Sequence, residues 1–130
     1  MLNKAFLEGK TALITGGAKG IGKRITEVLA EYGAAVAINY SGSEDAAKEL
    51  ADKINQSGGR AITYKCNVAE FDKTAEMIDY VIKEFGHIDI LVNNAGITKD
   101  NLMLRMKEEE FDRVIDVNLK GCFNCMKHVT

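Results

Sequence analysis

Residues Thr15 to Gly22 read T-G-G-A-K-G-I-G, between the apolar run Ala12-Leu13-Ile14 and a stretch of helical periodicity. A strand, a glycine loop and a helix N-terminus in that order make an anion site. The first backbone N–H groups of a helix have no partner within it, and the helix dipole adds partial positive charge, so a phosphate is well held there. Gly16, Gly20 and Gly22 let the backbone turn sharply and approach a ligand closely. Gly17, Ala18, Lys19 and Ile21 complete the loop that would touch it. A tight turn with no ligand is the alternative for such a loop taken alone.

Two phosphate chemistries compete for this loop. Counted from Gly17, the chain also spells G-x-x-x-x-G-K, ending at Gly22-Lys23, most of a nucleoside-triphosphate P-loop. That motif needs Ser or Thr next, to hold magnesium, and Arg24 stands there. No later apolar strand ends in an aspartate, since Ile88–Val92 runs into Asn93. The spacing T-G-x-x-x-G-x-G from Thr15 asks only for a dinucleotide pyrophosphate and fits without exception. No metal site is expected.

The elements that must position the loop follow from the pattern. Thr11–Thr15 reads as a short buried strand, followed by a helix with Ile21, Ile25, Val28 and Leu29 on one face and Gly33 at its end. Ala34–Asn39 is the second strand. Ser41 to Glu44 fits a capping box opening a helix striped by Ala47, Leu50, Ala51 and Ile54, which ends at Gly58-Gly59. Ala61–Cys66 is the third strand. The third helix is expected to face inward with Phe71, Ala75, Ile78, Val81, Ile82 and Phe85, and to stop at Gly86. Ile88–Val92 is a fourth strand, apolar except for Asp89. Asn93–Lys107 is a loop with a short helix about residues 101–105. A last helix begins near Glu108, with Phe111, Val114, Ile115, Leu119, Cys122 and Met126 on its apolar face. Strands alternating with helices predict an α/β fold, a Rossmann-type doubly wound parallel sheet, as one unit over residues 1–130.

The 130 residues suffice for one domain with a real core, and 46% hydrophobic with 28% charged residues is ordinary for a globular protein. A net charge of −2 gives no electrostatic footprint for nucleic acid. The N-terminus lacks the apolar core of a signal peptide, and no run approaches the ~20 apolar residues of a membrane helix. Three cysteines, Cys66, Cys122 and Cys125, form no framework; an odd count suits a reducing cytosol. Cys122 and Cys125 spell C-x-x-C without a second ligand pair, and Cys122 is expected on the core face. His87 is expected to be exposed rather than catalytic.

The glycine spacing resembles the short-chain dehydrogenase/reductase family. Asn93-Asn94-Ala95-Gly96 after the fourth strand is similar to that family's N-N-A-G motif, and Val117-Asn118-Leu119-Lys120-Gly121 to its V-N-L-x-G segment. The motifs fall in the family's order, and the resemblance covers the whole chain. Gly96 to Lys107 resembles the 3-oxoacyl-acyl-carrier-protein reductases of bacterial fatty acid synthesis. The resemblance implies that Asn94, Ala95 and Gly96 line a nicotinamide pocket and that Asn67 and Val68 flank adenine. It implies that Asn118 belongs to a catalytic tetrad, holding a water relay behind a lysine.

The second strand ends Asn39-Tyr40-Ser41, expected to contact the cofactor and without the carboxylate that would accept the ribose hydroxyl of NAD. Lys19 is the basic residue that NADP-preferring members of the family carry in the loop, so NADP(H) is the expected cofactor. The family's catalytic Ser and Tyr-x-x-x-Lys lie beyond the segment matching Thr130. Tyr32, Tyr40, Tyr64 and Tyr80 have no Lys four residues on. The resemblance implies NADPH-dependent reduction of the ketone of a 3-oxoacyl-acyl-carrier-protein to a 3-hydroxyacyl group by a longer, homo-oligomeric enzyme, with this chain as its cofactor-binding half. A non-catalytic nucleotide-binding or self-assembling half-Rossmann module is the alternative. In the family's strand order, 3-2-1-4-5-6-7, the fourth strand is central; here it is expected at an edge.

Overall fold

The computed structural model describes residues 5–96, 108, 109, 112 and 121–129. The expected short helix about 101–105, and Phe111, Val114, Ile115, Asn118 and Leu119, lie outside them. The described elements are β1 (Thr11–Ile14), α1 (Gly20–Glu31), β2 (Ala35–Tyr40), α2 (Glu44–Gln56), β3 (Ala61–Lys65), α3 (Phe71–Phe85), β4 (Ile90–Val92) and α4 (Gly121–Val129). Residues 108, 109 and 112 are helical, where the last helix was expected to begin.

The four strands form one sheet in the order β3-β2-β1-β4. All pairs are parallel, with Leu13 opposite Ala37 on one side and Leu91 on the other. Strands covered on both faces need side chains that serve two cores in alternation. Ala12, Ile14, Val36 and Ile38 join Ala47, Leu50, Ala51 and Ile54 of α2, with Ile25 and Leu29 of α1 packed against them. Leu13 and Ala37, one residue out of step, join Met77, Ile78 and Val81 of α3 and Cys125 of α4. The doubly wound parallel sheet is therefore present, with β4 at one edge among the described strands.

Two helices bury their predicted apolar stripes only in part. In α1, Ile21 is 75% exposed, while Gly22 and Thr26 are buried. In α3, Phe71 and Ile82 are exposed, and Thr74 and Met77 are buried beside Ile78 and Val81. Both helices bury a threonine whose hydroxyl is satisfied locally. Thr26 Oγ1 reaches Gly22 O at 2.8 Å and Gly17 O at 3.1 Å. Thr74 Oγ1 reaches Glu70 O at 2.8 Å and Val68 O at 3.3 Å. A hydroxyl bonded to the carbonyl four residues back can enter a core at little cost.

Other boundaries move for equally local reasons. The capping box does not form: Ser43 is the N-cap of α2 without a side-chain cap bond, and Glu44 faces Tyr40 Oη at 3.4 Å. α3 stops at Gly86, whose φ of +91° is left-handed, as the sequence predicts. β4 begins only at Ile90, and Asp89 just before it donates its N–H to Thr11 O at 2.9 Å. Asp89 Oδ2 accepts Thr11 N–H at 2.8 Å and lies 2.9 Å from His87 Nε2. The exposed His87 sits 3.0 Å from Gly9 O, tying the start of β1 to that of β4.

Candidate dinucleotide site

The glycine loop leaves the C-terminal end of β1 and is held from two sides. On the β4 side the Thr15 hydroxyl is the centre. It donates to Val92 O at 3.3 Å and accepts from Asn94 N at 3.0 Å and Ala95 N at 2.9 Å. One donor and two lone pairs are thus fully used. Asn94 Nδ2 adds a bond to Gly16 O at 3.0 Å. The two segments quoted from the sequence, T-G-G-A-K-G-I-G and N-N-A-G, therefore form one bonded unit.

On the β2 side Asn39 plays the corresponding part. Only 2% exposed, it accepts Gly16 N–H through Oδ1 at 3.1 Å and donates to Cys66 O at 3.0 Å. Gly17 N also bonds Asn39 O at 3.0 Å. Asn39 faces inward, joining the loop to the ends of β2 and β3. Nothing in its sequence position signalled this, because a strand-end Asn reads equally well as a ligand contact.

The loop packs tightly where it meets protein and opens where a ligand would lie. A side chain at Gly22 would fall on Gly16 O and Asn94 Nδ2, and one at Gly17 would stand 2.9 Å from Thr26 Oγ1. At Gly20, with φ +54°, nothing lies within 4 Å. Lys19 caps α1 in extended backbone without a side-chain cap bond, so no side chain occupies the helix's first N–H groups. Lys19, Gly20 and Ile21 are exposed, whereas Ala18 is buried. Open N–H groups, left-handed glycine and an exposed lysine suit a phosphate chain.

Two hollows adjoin the loop. One of about 110 Å³ lies among Gly16, Lys19, Tyr40 and Ser41; another of about 390 Å³ is lined by Lys19, Ser43, Glu44 and Asp45. The strand end without a carboxylate is therefore only part of the geometry, because the first turn of α2 brings two acids to the rim. Glu44 is engaged there, 3.3 Å from Lys48 Nζ as well as beside Tyr40. Burial first, and the Glu44 carboxylate second, raise the Tyr40 phenol above its ordinary value. Tyr40 is 7% exposed, so Ser41 offers the open side chain at this strand end. Larger hollows, of about 450 and 540 Å³, lie between α1 and α2 and at the other end of the strands, and include no loop residue.

Beyond β3, Asn67 is exposed and accepts Ala69 N–H at 3.0 Å, while Val68 is buried. Ala95 is half-buried and Gly96 exposed. The structure thus brings Gly16 to Gly22, Asn39 to Ser41 and Asn94 to Gly96 to one end of the sheet, with Asn67 following β3 at that end. Asn118 lies outside the described residues. The cysteine expectation needs correction: Cys125 is the core thiol at 1% exposure, and Cys122 is only half-buried. Sequence reasoning also passed over Asn124, buried on the same helix. Among the described residues no group of three or more His, Cys, Asp or Glu could hold a metal, and no helix is long and apolar enough to cross a membrane.

Residues 10–130 match the short chain dehydrogenase family. The chain is 53% identical over 121 residues to a 3-oxoacyl-(acyl-carrier-protein) reductase of Staphylococcus epidermidis, covering 93% of this chain and 50% of that protein. It is 45% identical over 124 residues to the reductase of the same name from Synechocystis, covering 95% and 50%. A short chain dehydrogenase from Burkholderia cenocepacia, solved in complex with NADP, is 35% identical with a TM-score of 0.92, over 98% of this chain and 51% of that one. The chain spans about half the length of the curated relatives it matches.

Proposed function

The chain belongs to the short-chain dehydrogenase family, and from that premise we propose that it is the cofactor-binding part of an NADPH-dependent 3-oxoacyl-acyl-carrier-protein reductase. The bonded unit of Thr15, Gly16, Asn94 and Ala95 carries this reading, since it joins the two segments a dinucleotide would touch. Residues Gly16 to Gly22, at the start of α1, would take the pyrophosphate on backbone N–H groups. Lys19, with Ser41 beside it, would take the adenosine 2′-phosphate. The rim carboxylates of Glu44 and Asp45 oppose that phosphate, but Glu44 is drawn toward Lys48 and Tyr40. Asn67 and Val68 would flank adenine. Ile21, exposed on the first turn of α1, and Asn94 to Gly96 would border the nicotinamide end.

NADPH, when bound, supplies a hydride for the ketone of the 3-oxoacyl thioester. This chain's part is to bind and orient that donor, with Asn118 assigned to the water relay. The serine, tyrosine and lysine that would polarise and protonate the ketone are assigned to a partner half of the fold, so the 130-residue chain alone is inactive. A cytosolic homo-oligomer is the proposed setting.

Fusing residues 1–130 to the second half of the Staphylococcus epidermidis relative tests this. The chimera should oxidise NADPH with an acetoacetyl thioester, and the 130-residue chain should not. A folded chimera that binds NADPH without turnover contradicts the proposed reaction, and turnover by the short chain contradicts the division of labour.

A further inference from the structure

α4 grips the turn between β3 and α3. Asn124, 1% exposed, donates from Nδ2 to Val68 O at 2.8 Å. A side chain at Gly121 would stand 2.5 Å from Val68 Cγ2, so glycine there lets the helix settle on Val68. Further along, His128 Nε2 lies 3.1 Å from Phe71 O, and the two rings sit 4.3 Å apart. The Val68 carbonyl has a second donor, Thr74 Oγ1, at 3.3 Å.

The other end of the Asn124 amide is unmatched. Only a donor can face a carbonyl, which fixes Nδ2 toward Val68 and leaves Oδ1 buried without a hydrogen-bond partner among the described residues. A lone buried acceptor lowers stability, whereas a leucine of similar volume would not. After that change Val68 O would face only the Thr74 hydroxyl, whose single proton is shared with the nearer Glu70 O at 2.8 Å. Holding the Val68 carbonyl is therefore what the asparagine does that leucine cannot.

Asn67 lies between two such anchors. Asn39 Nδ2 holds the Cys66 carbonyl before it, and Asn124 Nδ2 holds the Val68 carbonyl after it. We propose that Asn124 is a positioning residue for the adenine end of the dinucleotide, acting through Val68 to fix Asn67. This rests on the nucleotide reading given above.

Asn124→Leu tests it, with the 130-residue chain titrated by calorimetry with NADPH and with adenosine 2′,5′-bisphosphate, which carries only the adenine half. The melting temperature should stay the same or rise, while both ligands weaken by the same factor, roughly three- to tenfold. Unchanged affinity, a loss for NADPH alone, or failure of Asn124→Leu to fold would each overturn the proposal. If the unsubstituted chain binds neither ligand, the nucleotide reading itself falls, and this inference with it.

Discussion

Asn39 holds Gly16: its Oδ1 accepts the Gly16 N–H at 3.1 Å while its Nδ2 donates to the Cys66 carbonyl at 3.0 Å. One buried amide thus joins the glycine loop to the ends of two strands. Asn39→Asp keeps the acceptor for Gly16 but sets a carboxylate oxygen against Cys66 O. It should lower unfolding stability by about 1–3 kcal/mol. An unchanged urea midpoint would show that the link contributes nothing.

Gly22→Ala is expected to break the loop itself. The new methyl would fall on Gly16 O and Asn94 Nδ2, so the bond between those two groups must open. A loss of about 1–3 kcal/mol follows from overpacking, together with loss of nucleotide binding. Gly20→Ala, where nothing lies within 4 Å, should cost less stability and act only through its left-handed backbone. Equal effects at the two positions would contradict the packing argument.

Burial pushes the Cys125 thiol up to about 12, and it raises Cys66 as well. Only the thiolate reacts, and near pH 8 a thiol of that pKa is ionised to roughly one part in ten thousand. A thiol reagent at pH 8 should label half-buried Cys122 in the native chain and reach Cys66 and Cys125 only on unfolding. Raising the pH should bring Cys125 into reaction late. Three equally fast native thiols would contradict the inward placement of Cys66 and Cys125.

β4 borders the described sheet, and Phe123 and Met126 on α4 are 56% and 50% exposed. A strand edge unpaired among the described residues, beside apolar side chains, invites pairing. The purified 130-residue chain should self-associate at micromolar concentration by light scattering, and Leu91→Lys should weaken the assembly. A cooperatively folding monomer would contradict this.

The parallel α/β architecture and the loop were legible in the sequence because strand–helix alternation and glycine spacing are local signals, whereas the strand order came only with the family resemblance. Core faces were less so. Apolar counting put Ile21, Phe71 and Ile82 inside, but Thr26 and Thr74 take inward positions because nearby carbonyls satisfy their hydroxyls. The same counting chose Cys122 over Cys125. Of the site, Gly16 and Asn94 were readable as motif members, while the bond between them depends on β1 and β4 lying side by side. Asn39 and Asn124 went unrecognised as anchors because their partners, Gly16 and Val68, lie far along the chain.

The central claim is that the glycine loop and Lys19 hold a phosphorylated dinucleotide, and titration of the chain with NADPH and NADH tests it most directly. NADPH should bind at least about tenfold tighter, a difference of ~1.4 kcal/mol, and Lys19→Glu should erase the preference. Equal affinities, tighter NADH, or a preference that survives Lys19→Glu would contradict the account.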